Sequence, residues 1–374
     1  MGAFLSEGTL PADGEWPYRR LVGVGGIGTG TFFALEGTHD LGRNESRPAR
    51  LLDVRDYCKL HIVCHYPAVL LGGRDAGQPF QVLPVGKVGE DEAGERLRRE
   101  MAAAGMDVRF VETVPGTSTL QSVCFQYPDG SGGNITTAIS AASSLSEADV
   151  DRAGSLIDRR TIVLATPEVP LEVRHHLLRV GGRSGSLRVA AVTSAEAREA
   201  LALGLFADVD LLALNQDEAT ALTAVRFDAE RAGRLLDACA TLLGAAQPSI
   251  RIVVTVGPDG AFGFEQGRWR HTPAQPVTVA STAGAGDALL GGVLTGLALG
   301  LPFTAADGPR RVLGERPLAS AMDLGVLLSA YKATSPHSIH PGASVRALRH
   351  FAQSHGVTLG EPMSRLLGGT SLEP

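Results

Sequence analysis

Apolar and polar positions divide the chain into short apolar segments that alternate with longer amphipathic ones. Short runs rich in Val, Ile, Leu and Ala are typical of strands that are buried on both faces. The predicted strands of this kind span residues 20–24, 82–88, 161–165, 187–192, 209–214, 250–255 and 261–264. Helix-like stretches lie between several of them. This alternation predicts an α/β fold with a doubly wound, mostly parallel sheet flanked by helices.

Other segments lie outside this alternation. Residues 29–35 are β-prone and lead into a polar stretch at 36–46, whereas residues 53–71 have a helix-like apolar pattern. Residues 117–127 and 134–138 flank a segment rich in Pro, Asp and Gly, which predicts a hairpin with a long turn.

Length and composition limit the class of protein. With 374 residues, of which 44% are hydrophobic, the chain can form one large α/β domain or two smaller ones. A net charge of −6 offers no basic surface for nucleic acid or for an anionic membrane. The four cysteines contain no C-x-x-C pair, so neither a disulfide framework nor a zinc site is indicated. The sequence has no signal-peptide pattern and no apolar run of about 18 residues, so we expect a cytoplasmic protein.

The end of the first predicted strand contains a G-x-G-x-x-G pattern, from Gly23 to Gly28. In a dinucleotide-binding fold this pattern opens a long helix. Here it is followed by the β-prone residues 29–35. The sequence context therefore argues against a dinucleotide-binding site.

The segment Ser-Thr-Ala-Gly-Ala-Gly-Asp at 281–287 carries the clearest chemistry. It follows a short β-prone run and precedes an apolar helix predicted over 289–299. The backbone of Gly284, Ala285 and Gly286 would present N–H groups at a helix N-terminus, where an anion is favoured. Asp287 could take a proton from a hydroxyl group beside that anion, which is the chemistry of phosphoryl transfer to an alcohol. The same residues also fit a plain glycine-rich turn with a dipole-matched aspartate.

This segment resembles the D-T-x-G-A-G-D signature of the ribokinase-like (PfkB) carbohydrate kinases. Residues 85–108 are similar to that family's V-G-x-V-G-x-D-x-x-G segment and its helix. The resemblance spans roughly residues 20–350 and implies a ribokinase-like fold in which a small β-sheet forms a lid over the substrate. The lid strands are expected from about 29–52 and 113–138.

Two further motifs fall at the ends of predicted strands. Asn215 and Glu218 resemble the family's N-x-x-E motif, which implies that Glu218 binds Mg²⁺ and that Asn215 contributes to the magnesium–phosphate region. Mg²⁺ prefers oxygen ligands and keeps several waters, so one carboxylate is enough. The same pair could instead form a helix capping box. Thr255, Gly257 and Gly260 resemble the T-x-G-x-x-G turn, which implies contacts to the nucleotide, although Pro-Asp-Gly is also a strong turn signal by itself.

The resemblance implies further nucleotide contacts at Thr282 and in the segment that closes over the adenine, at His340 and Gly342. On the acceptor side it implies contacts from Gly28, Gly30, Lys59, His61 and Asp287.

The acceptor side departs from the family pattern. The family's first strand ends with an Asp that binds sugar hydroxyls, and Gly30 aligns at that position. The loss of this carboxylate, with Lys59, His61 and His65 near the pocket and Arg43, Arg47 and Arg50 in the neighbouring polar segment, suggests an acceptor that carries phosphate or carboxylate. These cations could equally be solvated surface charges.

A second departure is Ser281, where the signature begins with Asp. Many relatives bind a monovalent cation beside the anion hole, in the region to which that Asp belongs. We therefore expect weak or absent activation by K⁺.

The sequence as a whole predicts a Mg²⁺- and ATP-dependent carbohydrate kinase that phosphorylates a hydroxyl of a sugar or sugar-like small molecule. Asp287 would be the base, and the backbone of 284–286 would be the anion hole. The alternatives are a nucleoside kinase on the same fold, or a catalytically silent sugar- or nucleotide-binding regulator. A homodimer could form through the lid, and no nucleic acid or membrane partner is expected.

The predicted domain organisation is a flexible N-terminal arm at 1–18, one kinase domain at 19–355 and a C-terminal tail at 356–374.

Overall fold

The structure is a computed structural model that describes residues 16–361, except 38, 73–79, 129–131, 229–231, 306–307 and 309, together with residues 363–364. The strands, in chain order, are β1 (Arg20–Val24), β2 (Gly28–Leu35), β3 (Ala49–Tyr57), β4 (Gln81–Gly89), β5 (Val111–Val114), β6 (Leu120–Gln126), β7 (Gly132–Thr136), β8 (Thr161–Ala165), β9 (Leu187–Ala191), β10 (Leu211–Asn215), β11 (Arg251–Thr255), β12 (Ala261–Glu265) and β13 (Arg268–Thr272).

The helices are α1 (Lys59–Leu71), α2 (Glu92–Ala103), α3 (Glu147–Gly154), α4 (Leu171–Ser184), α5 (Ala197–Ala202), α6 (Gln216–Thr223), α7 (Ala232–Ala246), α8 (Ala285–Ala298), α9 (Ala321–Ala333) and α10 (Val345–Ser354).

Nine strands form the main sheet in the order β13-β12-β11-β10-β9-β8-β1-β4-β5. The pairings from β11 to β5 are parallel, and β12 and β13 extend the β11 edge in antiparallel fashion. Every residue of β8 is buried, as expected for a strand that is covered on both faces. One core cluster includes residues of α1, α8, α9 and α10, and the second includes residues of α3 to α7. The predicted doubly wound, mostly parallel α/β fold is confirmed.

The remaining four strands form a small sheet in the order β3-β2-β6-β7. Strands β6 and β7 pair antiparallel, as the predicted hairpin requires. Strand β1 passes into β2 without an intervening helix, which agrees with the rejection of a dinucleotide fingerprint. The expectation of a helix over 53–71 is wrong at its start: residues 53–57 belong to β3, and their burial alternates as in a strand with one solvent-facing side.

Helix α8 lies very close to its neighbour α9. A Cβ atom added at Gly292 would lie 2.7 Å from the Cα of Gly325, so glycine allows the two backbones to approach. Eleven of the residues of α8, from Ala288 to Ala298, are buried. This packing fixes the helix whose N-terminus carries Asp287.

The chain ends differ from the predicted domain limits. The predicted arm falls mainly on residues 1–15, which lie outside the described residues, but Trp16 and Tyr18 pack against the core. Val357 and Met363 are buried, so the folded part extends beyond residue 355. The rest of the predicted tail, residues 365–374, lies outside the described residues.

In the described parts of the chain, no helix combines the length and the apolar character needed to cross a membrane.

Candidate active site

A cleft of about 1100 Å³ opens at the carboxyl ends of β10 and β11 and at the N-terminus of α8. Clefts at this end of a parallel sheet are the usual ligand sites of such folds. The structure brings many of the predicted site residues together in its lining: Lys59, Asn215, Glu218, Thr255, Gly257, Gly260, Thr282, Gly284, Ala285, Gly286 and Asp287.

The glycine-rich turn before α8 has the geometry that an anion hole needs. Gly284 is the N-cap of α8 and has a φ of +76°, in the left-handed region that favours glycine. A Cβ atom on Gly284 would lie 2.3 Å from the carbonyl oxygen of Ser338. Glycine is therefore required here for both conformation and space. The first N–H groups of α8 have no partner within the helix and lie beside the cleft. The N–H of Ala285 donates to the carbonyl of Thr282 over 3.0 Å, so this predicted anion-hole group is already engaged.

Two contacts hold this turn against the end of α9. The backbone N–H of Ala280 donates to the carbonyl of Ala333 over 2.8 Å. The buried ammonium group of Lys332 donates to the carbonyl of Ser281 over 3.0 Å. Burial lowers the pKa of Lys332 to about 8, while the charges of Asp56 and Asp287 oppose this shift. No sequence motif drew attention to Lys332.

Asp287 lies in the first turn of α8, and its side chain is 19% exposed. Burial raises the pKa of its carboxyl group, and the neighbouring charges of Lys59 and Lys332 oppose this shift. A carboxylate in this position can accept a proton from a bound hydroxyl group.

Asn215 and Glu218 form the capping box that was the structural alternative for this pair. The Asn215 side chain accepts hydrogen bonds from the N–H groups of Asp217 and Glu218, and Glu218 Oε2 accepts one from the N–H of Asn215 over 2.8 Å. The other oxygen of Glu218, Oε1, lies 3.4 Å from the Nζ atom of Lys59. Glu218 therefore caps α6 with one oxygen and faces a cleft residue with the other.

Lys59, at the start of α1, connects the two carboxylates of the cleft. Its Nζ atom lies 3.4 Å from Glu218 and 3.6 Å from Asp287. Burial opposes the charge on Lys59, but Asp287 and Glu218 outweigh this effect and raise its pKa. The ammonium group is therefore charged at neutral pH. It adds positive charge beside the glycine turn.

The oxygen chemistry of the cleft fits a Mg²⁺ ion that is held mainly by phosphates and water. Among the described residues, no group of three or more His, Cys, Asp or Glu side chains is arranged to hold a metal ion. Mg²⁺ does not require such a group, because it commonly uses one or two carboxylates together with substrate phosphates. Glu218 Oε1 is the carboxylate oxygen beside Lys59 that fits this role.

The turn after β11 forms another wall of the cleft. Gly257 and Gly260 have φ angles of +61° and +94°. A Cβ atom on Gly260 would lie 2.3 Å from the carbonyl oxygen of Thr272, so this glycine also allows a close approach. Thr255 pairs with Asn215 in the sheet register, which brings the ends of β10 and β11 together.

Five predicted site residues are not part of this cleft lining: Gly28, Gly30, His61, His340 and Gly342. The His340 ring stacks on Tyr331 at 4.0 Å, and the N–H of Gly342 donates to His340 Nδ1. Both residues lie beside the end of α9, and their predicted contact with adenine stays a prediction. His61 is 1% exposed and packs against Tyr57, and burial lowers its pKa to about 3.

The two glycines of the predicted acceptor side lie in the small sheet. A Cβ atom on Gly28 would lie 2.4 Å from the carbonyl oxygen of Leu120. Gly30 pairs with Asp56 across β2 and β3.

Part of the cleft wall could not be identified from the sequence. One side of α9 and the loop before the signature contribute a largely apolar surface, formed by Pro273, Pro276, Val277, Val326, Ser329, Ala330 and Ala333. These residues are ordinary core and loop types, and only the packing of α9 beside α8 brings them to the cleft.

Known proteins resemble this chain in sequence and in fold. Residues 68–340 match the model of the pfkB family carbohydrate kinases. The chain is 28% identical to the deoxyribokinase of Salmonella typhi over 227 residues, which cover 59% of this chain and 72% of that protein.

Two solved structures share the fold. The ribokinase of Cryptococcus neoformans var. grubii serotype A in complex with ADP superposes with a TM-score of 0.67 and 19% identity, covering 89% of this chain and 99% of that one. The nucleoside kinase of Burkholderia thailandensis in complex with inosine superposes with a TM-score of 0.65 and 17% identity, covering 90% and 99%.

Proposed function

This chain belongs to the pfkB family of carbohydrate kinases, and we propose that it transfers the γ-phosphoryl group of ATP to a hydroxyl group of a sugar or sugar-like molecule. The observation that carries the proposal is the position of Asp287, in the first turn of α8 beside the glycine turn and at the lining of the cleft.

In the proposed reaction, the oxygen of the acceptor hydroxyl forms a bond to the γ-phosphorus, and Asp287 accepts the proton of that hydroxyl. The bond between the γ-phosphorus and the bridging oxygen breaks, and ADP leaves with that electron pair. The N–H groups of Gly284 and Gly286 and the ammonium of Lys59 stabilise the charge on the transferred group. Mg²⁺ would offset phosphate charge, with Glu218 as its protein contact, directly or through water.

The nucleotide would lie along the rest of the cleft. Asn215, Thr255, Gly257, Gly260 and Thr282 line this region together with the apolar residues of α9. The apolar wall suits the aromatic base of the nucleotide, and the turns that present backbone groups suit its phosphates.

The proposal is tested by measuring ADP formation from ATP and Mg²⁺ with a panel of sugars, nucleosides and cyclitols. Acceptor-dependent ADP formation with one class of acceptor is expected. A preference for nucleosides would identify a nucleoside kinase on the same fold. Saturable binding of a sugar or of ATP without any turnover across the panel would instead indicate a binding regulator and would contradict the proposal.

A further inference from the structure

Lysine is rare in this chain, and Lys332 is its most deeply buried lysine. Only three of the 34 Lys and Arg residues are lysines: Lys59, Lys87 and Lys332. Lys332 lies in the last turn of α9 and is 0% exposed. A lysine is almost never fully buried unless its charge has a partner, because the ammonium group loses its hydration. The burial of this charge therefore requires a compensating interaction.

The compensating group is the backbone of the glycine-rich turn. The Nζ atom of Lys332 donates to the carbonyl oxygen of Ser281 over 3.0 Å. Among the described residues, no carboxylate forms an ion pair with Lys332, although the charges of Asp56 and Asp287 favour its ammonium form. The charge of Lys332 thus acts on a backbone oxygen rather than on an acidic side chain.

This contact lies at the start of the turn that leads into α8. The N–H groups of Ala280 and Ser281 both donate to the carbonyl of Ala333, over 2.8 Å and 3.3 Å. Lys332 adds a hydrogen bond in the opposite direction, from its side chain to the Ser281 carbonyl. Two consecutive residues at the end of α9 therefore bind both the donors and an acceptor of the segment 280–281.

The position of the Ser281 backbone is passed on to the helix N-terminus. Ser281 Oγ accepts a hydrogen bond from the N–H of Ala283 over 3.2 Å. Gly284, which follows at once, has no room to shift toward Ser338, because a Cβ atom on it would lie 2.3 Å from the Ser338 carbonyl oxygen. A displacement of the Ser281 carbonyl would therefore move the N–H groups that begin α8.

Lys332 also acts on the proposed base. Burial raises the pKa of Asp287, and the charges of Lys59 and Lys332 oppose this shift. Lys59 contacts Asp287 directly, over 3.6 Å, and lines the cleft. Lys332 is fully buried and is not among the residues that line the cleft. It can therefore affect the reaction only through the turn and through the charge that Asp287 experiences.

We propose that Lys332 is a positioning residue whose buried ammonium group acts as an internal cation. It holds the turn 281–284 in the conformation that presents backbone N–H groups to the transferred phosphoryl group, and it adds positive charge beside that turn. A lysine suits this place because its ammonium is a compact point charge, whereas the guanidinium of arginine is a planar fork. This inference rests on the proposed function and assigns a further residue to the same site.

Two neutral variants that differ in volume test the assignment. Lys332→Met removes the charge but keeps an unbranched side chain in the buried space. Lys332→Ala removes the charge and leaves space that a small soluble cation can occupy. Lys87→Ala is the matched control for the loss of a lysine, because Lys87 pairs with Asp149 over 3.0 Å and lies outside the cleft lining.

Each protein is assayed with ATP, Mg²⁺ and the best acceptor, in ammonium chloride and in tetramethylammonium chloride at equal ionic strength. In tetramethylammonium, both Lys332 variants should have a kcat that is lower roughly 10- to 100-fold, the scale of a hydrogen bond to a charged group. Their KM for ATP should change less than kcat. NH₄⁺ should restore much of the kcat of Lys332→Ala by occupying the vacated space. It should not change the kcat of Lys332→Met, Lys87→Ala or the wild-type protein.

Unfolding temperatures give a readout that does not depend on turnover. A ligand that binds only the folded protein raises its stability. NH₄⁺ should therefore raise the unfolding temperature of Lys332→Ala relative to tetramethylammonium, with no such difference for Lys332→Met. The same measurement identifies a loss of kcat that is due to misfolding.

Three results would overturn the inference while leaving the proposed function intact. The first is a folded Lys332→Met variant with the wild-type kcat. The second is a folded Lys332→Ala variant with the same kcat and the same unfolding temperature in both salts. The third is an equal effect of NH₄⁺ on the Ala and Met variants. Absence of wild-type turnover with every acceptor would overturn the proposed function itself, and the unfolding temperatures would still test the internal cation.

Discussion

The ammonium group of Lys59 lies 3.6 Å from the carboxylate of Asp287 and 3.4 Å from that of Glu218. The first residue of α1 thereby connects the N-termini of α6 and α8. Since opposite charges at this distance favour the charged form of each group, Lys59 helps to keep Asp287 ionised against the effect of burial.

This relationship predicts the pH dependence of turnover. The base works only when ionised, so kcat/KM should fall as the pH falls through the pKa of Asp287, which burial raises above its ordinary value. Lys59→Met removes the opposing charge and should move the acid limb to higher pH, by roughly one unit or more. Lys59→Arg retains the charge and serves as the control. Identical acid limbs in the Met and Arg variants would show that Lys59 does not act on the base in this way.

The glycine turn predicts a site-specific effect of added side-chain volume. Gly284→Ala introduces a Cβ atom 2.3 Å from the Ser338 carbonyl oxygen and should lower kcat strongly by displacing the anion-hole N–H groups. Gly204 has the same φ of +76° but open space around its Cβ position. Gly204→Ala should therefore show only the strain of a left-handed alanine, about 1 kcal/mol of unfolding free energy, with normal turnover. Equal kcat values for the two variants would argue against the anion hole.

The turn also predicts how the protein responds to monovalent cations. Ser281 carries no charge where the family signature begins with Asp, and the Lys332 ammonium already contacts the Ser281 carbonyl over 3.0 Å. At pH 7 this ammonium is charged, because its pKa is lowered only to about 8. We expect no several-fold stimulation when K⁺ replaces tetramethylammonium at constant ionic strength. A several-fold stimulation in that comparison would contradict the prediction.

The outer side of the small sheet predicts self-association. Leu51, Val123 and Ile135 are 62%, 42% and 70% exposed, and Val123 pairs with Ile135 across β6 and β7. Exposed apolar positions on adjacent strands are suited to packing against a second copy. Sedimentation velocity should show a dimer that Ile135→Lys dissociates and that Leu203→Lys, a change at an exposed apolar residue outside both sheets, does not. A wild-type monomer at all concentrations would contradict this.

The sequence predicted the parts of the fold in which local pattern and burial agree. Strands such as β8 and β11 are continuous apolar runs because both faces of the main sheet are covered. Strand β13, with the sequence RWRHT, lies at a sheet edge and was missed because its residues are largely polar. The end of β3, residues 53–57, was predicted as helix because Val54 and Tyr57 also fit a helical period.

The residues of the site also divide into those that a local sequence pattern identifies and those that it does not. Asp287, Glu218 and Thr255 lie in short motifs at strand and helix ends, so the adjacent sequence identifies them as candidate site residues. Lys332 comes from a separate part of the chain and has no local motif. Only the packing of α9 beside α8 brings it to the turn before Asp287. Non-local placement of this kind cannot be deduced from spacing.

The most direct test of the account is the formation of the phosphoester by wild-type protein and by Asp287→Asn, followed by ³¹P NMR with ATP, Mg²⁺ and the best acceptor. The amide keeps the size of the side chain but cannot serve as the base. We expect Asp287→Asn to bind ATP normally and to form the phosphoester roughly 10²- to 10⁴-fold more slowly, the scale of a lost general base. Near-normal phosphoester formation by Asp287→Asn would contradict the account.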